Sequence, residues 1–335
     1  METVSLSDIT IAITVYDRRT YLNQAIRSAL TQRCGERPQV IVVEDHGPDV
    51  GLRESVIEEF GDRITYHRNQ ERRGLFDNWN ACLERCATTW LCILHDDDFL
   101  EPTFVEAMIE LSEAAPGRAL YYGQWNTVDE NNSHLETPPS STQFCWHEVP
   151  LQEWTRYNPV SFAGQLFDAG AAMSLGGFRA SSRYTADWEM WFKLALNYGA
   201  AATNRVVANF REHHSIGRGT TTVNVSGRKN AYVNMQRKRH IAWLCQKQPE
   251  LRFDRHLLYK QEPIPTRFIL EHGYAFSARM LRYNAALLFA SSAPNARYRL
   301  IQLVAQLFSW RSLRVMSWIY RLSRFARYGL AVELQ

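Results

Sequence analysis

Three consecutive carboxylates, Asp96, Asp97 and Asp98, follow the apolar run Trp90-Leu91-Cys92-Ile93-Leu94-His95 and precede Phe99-Leu100-Glu101-Pro102. A run of this kind reads as a β-strand buried on both faces, so acids fixed at its C-terminal end cannot all spread into solvent. Their mutual repulsion is relieved by protonation or by a bound cation. Oxygen ligands of this sort suit Mg2+ or Mn2+. The C-terminal ends of strands are also where ligands collect in parallel α/β sheets. The chemistry suggested is a cation bridging a phosphate, set against the plainer reading of a solvated turn that caps a helix.

The elements that would position these acids alternate along the chain. The β-branched run Thr10-Ile11-Ala12-Ile13-Thr14-Val15 predicts a strand, and Leu22, Ala25, Ile26, Ala29 and Leu30 recur at helical spacing behind it. Strands are expected over 39–44, 63–68 and 90–95, and helices over 50–60, 75–87 and 102–114, the last opened by a proline. Such alternation predicts an α/β fold with a mainly parallel sheet covered by helices on both faces. The Ser-, Pro- and Asn-rich interval 126–143 reads as a surface loop. A helix over 187–198 and a strand over 205–211 follow, and from about Ser226 the pattern is helical. Three acidic positions, Glu44-Asp45, Asp96-Asp97-Asp98 and Asp187, are thereby expected at the C-terminal ends of different strands or just beyond, converging on one edge.

With 335 residues, 45% of them hydrophobic, the chain is long enough for a sizeable core. Its net charge of +3 conceals an uneven balance: from Thr266 onward there are ten Arg and no Lys, against only Glu271 and Glu333. The six cysteines form no CxxC pair and no zinc-type spacing with histidine, so they read as reduced, mostly buried residues. The N-terminus lacks a signal-peptide pattern, and uncharged runs fall short of the ~20 residues a membrane span needs. A cytoplasmic protein, free or held at a membrane surface, is the expectation.

The order of strand, Glu-Asp-x-Gly-x-Asp, Arg-Arg-Gly and then His-Asp-Asp-Asp resembles the family 2 inverting glycosyltransferases of the GT-A fold, the kind that build bacterial surface polysaccharides. The resemblance covers roughly residues 9–217. It implies a catalytic domain over 1–225, with a Rossmann-like nucleotide-sugar-binding half over 1–102 and an acceptor half over 103–225, followed by a helical region over 226–335. It also implies transfer of a sugar from a nucleoside diphosphate sugar, a UDP-sugar foremost, to a hydroxyl of a glycan or lipid-linked glycan.

Carried over residue by residue, Thr14 and Tyr16 end the first strand, with the Tyr16 ring stacking on the nucleotide base. Asp45 accepts a hydrogen bond from the base, and Glu44 replaces the family's first carboxylate with one a methylene longer. Arg73, in Arg72-Arg73-Gly74, reaches ribose or phosphate. In the metal box Asp97 is the ligand for Mn2+ or Mg2+, Asp96 lies beside the ribose or the metal's water shell, and Asp98 caps the next segment. His95 stands where the family usually has aspartate. Ala186-Asp187 resembles a Glu-Asp motif, which makes Asp187 the general base that deprotonates the acceptor hydroxyl. Trp188 and Trp191 offer an aromatic face for a sugar. His213, with His214 as the competing register, supplies a histidine to the metal or diphosphate, and Arg218 closes over the phosphates. No enzyme nucleophile is needed for a single inverting displacement.

The Arg-rich tail, with Leu, Trp and Tyr at helical spacing, reads as helices for an anionic membrane surface. The competing reading is packing on the catalytic domain or on a second copy in a homo-oligomer. Nucleic acid is not expected, because no recognition module accompanies the arginines. A sugar nucleotidyltransferase would need a Gly-rich loop after the first strand, and Val15-Tyr16-Asp17-Arg18-Arg19 has no glycine. A nicotinamide dehydrogenase fails at the same segment. A degenerate binding module, suggested by Glu44, His95 and Ala186, would hold a nucleotide-sugar without consuming it.

Overall fold

The computed structural model describes residues 4–35, 37–139, 143–213 and 228–248. The chain divides into two compact units, residues 1–221 and 222–335. In the first, β1 (Ile9–Val15), α1 (Arg19–Leu30), β2 (Gln39–Glu44), α2 (Leu52–Phe60), β3 (Thr65–Arg68), α3 (Leu75–Arg85) and β4 (Trp90–His95) succeed one another. After them come β5 (Phe99–Leu100), α4 (Phe104–Ala114), β6 (Leu120–Val128), β7 (His134–Glu136), β8 (Trp146–His147), α5 (Leu151–Trp154), β9 (Gln165–Asp168), α6 (Ala169–Ser174), α7 (Ala186–Tyr198) and β10 (Ala200–Arg211). Within the second unit the described element is α8 (Arg228–Lys247).

The strand order β3-β2-β1-β4-β9-β6-β10-β5 belongs to a mixed sheet flanked by helices. β3, β2, β1 and β4 run parallel, as the βα alternation predicts. The direction then reverses at β9, which lies antiparallel between β4 and β6, while β6 and β10 are parallel to each other. The expectation of a mainly parallel sheet thus describes one half. β9 is too short to announce itself by periodicity.

Every residue of β1 is buried. Alternate side chains Ile9, Ile11, Ile13 and Val15 join apolar residues of α1, α2 and α4 in one core. α3 packs against β1, β2 and β4. Trp79 on α3 meets Phe162 and Phe178, and Trp191 on α7 packs edge-on against Phe167 and Phe178 at 5.1 and 5.7 Å.

Two local expectations change. The interval 126–143 is not uniformly loop: β6 continues to Val128, and β7 returns antiparallel to it after a turn at Asp129, whose carboxylate accepts from the N–H groups of Asn131 and Ser133. β10 begins at Ala200 rather than 205, because the alanines pair with β6 although their strand propensity is low. All six cysteines are free. Among the described residues no helix is long and apolar enough to cross a membrane.

Trp191 is fully buried among these rings. Trp191→Ala is expected to lower stability by about 3–5 kcal/mol, read from urea denaturation.

Candidate functional site

The parallel half of the sheet brings the C-terminal ends of β1, β2 and β4 side by side. Thr14 is paired with Val43 on one side and with His95 on the other. Beyond β1 the chain turns at Tyr16, and beyond β2 at Asp45-His46-Gly47. A Cβ on Gly47 would lie 1.8 Å from the Tyr16 carbonyl oxygen, so this close approach requires glycine.

Asp45 is buried and already bound. One oxygen accepts from the Arg73 N–H at 2.7 Å and from the Asn69 amide at 3.2 Å, and the other accepts from the Gly74 N–H at 2.8 Å. Its carboxylate therefore pins the loop that opens α3, at the helix end where negative charge is favoured. Glu44 turns inward, accepting from Gly47 N–H, Tyr66 hydroxyl and the Arg68 guanidinium. Glu44 at the end of β2 and Asp45 after it thus shape the turn after β2 and the loop that opens α3.

The assignment of Arg73 is corrected by this geometry. Its guanidinium turns away to Glu84, at 2.8 Å, on the exposed side of α3. Arg72 instead lies over the Tyr16 ring, with 4.3 Å from its Cζ to the centroid. In an Arg-Arg pair the sequence alone does not say which side chain faces in; the bond from the Arg73 N–H to Asp45 decides it.

In the acidic box the three aspartates separate. Asp97 accepts at 2.9 Å from, or donates to, His213 Nε2, and it is also paired with Arg18. Asp96 lies 3.7 Å from the same guanidinium. Asp98 is not a helix cap: α4 starts at Phe104 with Thr103 before it, and Asp98 Oδ1 accepts instead from the Arg211 N–H at 2.9 Å. Burial raises the Asp96 carboxyl to about 7, partly offset by Arg18, and burial likewise raises Asp98 to about 7. His95 is stacked 4.2 Å from Phe162 and 5.7 Å from Trp79. Burial, with Arg18 adding to it, pushes its imidazole down to about 3. Burial also lowers His213, again with Arg18 contributing.

Arg211 joins the box to the rest of the unit. Its Nε donates to the Asp97 carbonyl at 2.8 Å and Nη1 to the Asp129 carbonyl at 2.7 Å. Nη2 donates to Gln24 at 3.0 Å and Asn132 at 2.8 Å, and the guanidinium lies over Tyr21. This fixes the end of β10, and with it the start of the segment carrying His213.

The donor set suits a cation. The ligand atoms of His95, Asp97 and Asp98 lie within 4.8 Å of one another, and Asp98 Oδ2 and His95 Nε2 have no hydrogen-bond partner among the described residues. His213, two residues beyond the end of β10, offers a second imidazole to Asp97. Neutral imidazoles and carboxylates are the mixed ligands that Mn2+ accepts. Arg18 supplies positive charge to the same carboxylates, and its place three residues after β1 was the signal that sequence reading passed over.

Asp187 stands in the first turn of α7, where the helix end favours an ionised carboxylate. The Asn158 amide donates to its Oδ2 at 3.1 Å. Trp188 corrects an expectation: it is buried, with its indole N–H bonded to the Trp154 carbonyl at 2.9 Å, so it has no open face for a sugar. Alternating around a helix by 100°, only one side of α7 can face a cleft, and Trp188 and Trp191 both point to the core. Glu189 is likewise buried, paired with Lys193 at 2.9 Å. His214, Arg218 and the Arg-rich tail lie outside the described residues.

The mixed sheet flanked by helices, with acids just beyond β4, has the architecture of the GT-A class. Residues 10–184 match the model of the family described as Glycosyl transferase family 2. The chain belongs to that family. An uncharacterized glycosyltransferase of Rickettsia felis is 26% identical over 189 residues, which are 56% of this chain and 31% of that protein. The chain thus spans about a third of that relative's length. An uncharacterized protein of Mycobacterium tuberculosis is 26% identical over 252 residues, 70% of this chain and 75% of its own. Among solved structures, S. aureus TarS 1-349 in complex with UDP-GlcNAc superposes with a TM-score of 0.59 at 11% identity, covering 94% of this chain and 92% of that one. The same protein in complex with UDP gives 0.58 at 11% identity, covering 97% and 94%.

Arg72→Ala is expected to lower stability by about 0.5–1 kcal/mol, the size of an exposed cation–π contact with Tyr16, read from urea denaturation. Arg73→Ala, which removes an exposed pair with Glu84, is expected to cost no more than about 1 kcal/mol in the same measurement.

Proposed function

We propose that the protein is an inverting, divalent-cation-dependent glycosyltransferase that moves a sugar from a nucleoside diphosphate sugar to a hydroxyl of a glycan or lipid-linked glycan. The observation that carries this reading is the 2.9 Å approach of His213 to Asp97 across 116 residues of sequence, at the sheet edge where Tyr16 and Asp45 frame a base site. The UDP and UDP-GlcNAc complexes of the TarS neighbours support a uridine donor.

Tyr16, with Arg72 on one face, offers a ring for the base, and Asp45 retains lone pairs for a base N–H beside those it uses within the loop. Asp97 and His213 would hold the cation, with His95 and Asp98 clustered around Asp97 and Asp96 beside them. That ion supplies charge neutralisation for the departing diphosphate. Arg18 adds positive charge at the same place.

Asp187 takes the proton of the acceptor hydroxyl as its oxygen bonds to the anomeric carbon. The bond from that carbon to the diphosphate oxygen breaks on the opposite side, and the nucleoside diphosphate leaves with the bonding pair. Configuration inverts, so an α-linked donor gives a β linkage. Asn158 holds the Asp187 carboxylate in one orientation. A role in cell-surface polysaccharide synthesis at the inner face of a membrane accords with the ten arginines beyond Thr266.

Two variants test the reading in a screen of nucleoside diphosphate sugars that measures released nucleotide with Mn2+. Asp187→Asn is expected to lower transfer by about 10² to 10⁴ with donor binding retained; transfer near the wild-type rate overturns the base assignment. Asp97→Ala is expected to abolish the Mn2+ dependence of UDP binding in calorimetry, and an unchanged dependence overturns the metal assignment. Donor that is bound by the wild type but never consumed would mark a binding module.

A further inference from the structure

On the acceptor half, β6, the β7 arm and the segment 149–159 enclose a cleft of about 790 Å³, within the range of roughly 300–1,000 Å³ typical of small-molecule sites. Asn158 belongs to its wall and also donates to Asp187, so the cleft and the candidate base share a residue. The Asn158 amide is held at both ends, because its oxygen accepts from the Val160 N–H at 3.3 Å.

The composition of the wall says what kind of molecule that is. Among the described residues that line it, Glu136 alone carries a formal charge and none is Lys or Arg. A phosphate-rich or otherwise polyanionic chain would find no counter-charge. Two polar groups of the wall, the Tyr122 hydroxyl and the Gln124 amide oxygen, are buried without a hydrogen-bond partner among the described residues. They stand two apart on β6 and so share one face of the strand. Tyr122 is 4% exposed, so its hydroxyl is not left unpaired by lying in bulk solvent. At the mouth, Tyr157 is 48% exposed and Leu135 44%, an aromatic and an aliphatic surface beside the polar wall. Ring faces for the C–H side of a pyranose and unpaired hydrogen-bonding groups for its hydroxyls are complementary to an uncharged sugar chain.

We infer that this cleft is the acceptor subsite and that it takes an uncharged, hydroxyl-rich glycan, with Tyr157 as the stacking platform, Tyr122 and Gln124 as hydroxyl partners, and Asn158 as the positioning residue that relates the bound sugar to Asp187. This rests on the glycosyltransferase reading above. Tyr157 and Gln124 are binding residues under this assignment; Asn158 acts through Asp187.

The test is saturation-transfer NMR on the full chain with Mn2+ and UDP. Cellotriose, chitotriose and maltotriose serve as neutral probes and a glycerol phosphate trimer as the anionic one. At least one neutral trisaccharide is expected to bind in preference to the anionic trimer. Tyr157→Ala and, independently, Gln124→Leu are expected to weaken it tenfold or more. Tyr157 is half exposed and its truncation spares the core, and circular dichroism checks the fold of both variants. Wild-type affinity in both variants, preference for the anionic trimer, or binding of no trisaccharide by a chain that binds UDP overturns the inference. UDP calorimetry on the same samples separates the two readings: a chain that binds trisaccharide through these residues but no UDP supports the cleft and overturns the donor assignment.

Discussion

The buried guanidinium of Arg211 is the constraint from which the geometry of this edge follows. Taking a guanidinium out of water is costly, and the cost is met only when its donors find acceptors in good geometry. Here four acceptors come from three places: the Asp97 carbonyl beyond β4, the Asp129 carbonyl and the Asn132 side chain of the turn after β6, and Gln24 on α1. Its own backbone N–H is taken by Asp98. One side chain at the end of β10 therefore sets the position of the acidic box, of the turn before β7 and of the chain that leads into His213. The oxygens it meets are uncharged apart from that backbone contact, so the carboxylate of Asp97 stays available to Arg18, His213 and a cation.

A second set of bonds shapes the loops after β1 and β2 by the same logic. Carboxylates left unpaired in a buried loop are unfavourable, so Asp45 and Glu44 collect backbone N–H groups and nearby cations. In doing so they fix the loop at Gly74, where φ is +88°, and the contact between Gly47 and Tyr16. The Asn69 and Asn78 amides extend the network, the latter reaching the Val43 carbonyl at 3.1 Å. The loops that carry Tyr16 and Arg72 are consequently shaped by Glu44, Asn69 and Asn78 together with Asp45.

Much of this was legible in sequence where a local pattern has a local cause. The strands β1, β2 and β4, and the buried positions of α1, follow from β-branched runs and helical spacing. The acids at their ends stand out because charged residues rarely adjoin such runs. What failed had a common reason. Arg73 and Arg72 are neighbours of one type, and the backbone bond to Asp45 selects between them. Trp188 was read as a sugar platform from its place beside Asp187, yet the α5 carbonyl of Trp154 draws its indole inward. Asp98 was read as a cap from its proximity to a helix, but its partner is 113 residues away. β9 reverses the sheet with four residues, too few to show a period.

The sequence by itself determined the family and the candidate groups: carboxylates at strand ends, an aromatic after the first strand, and an acid opening a helix. These depend on residue type and short spacing, which a chain carries wherever it folds. Only the tertiary structure decided which of the three aspartates faces His213, which arginine lies over Tyr16, and that Asn158 belongs both to Asp187 and to a cleft. Those are contacts between residues tens to more than a hundred positions apart. They arise because buried polar groups must find partners, and the partners available are set by the packing of the sheet.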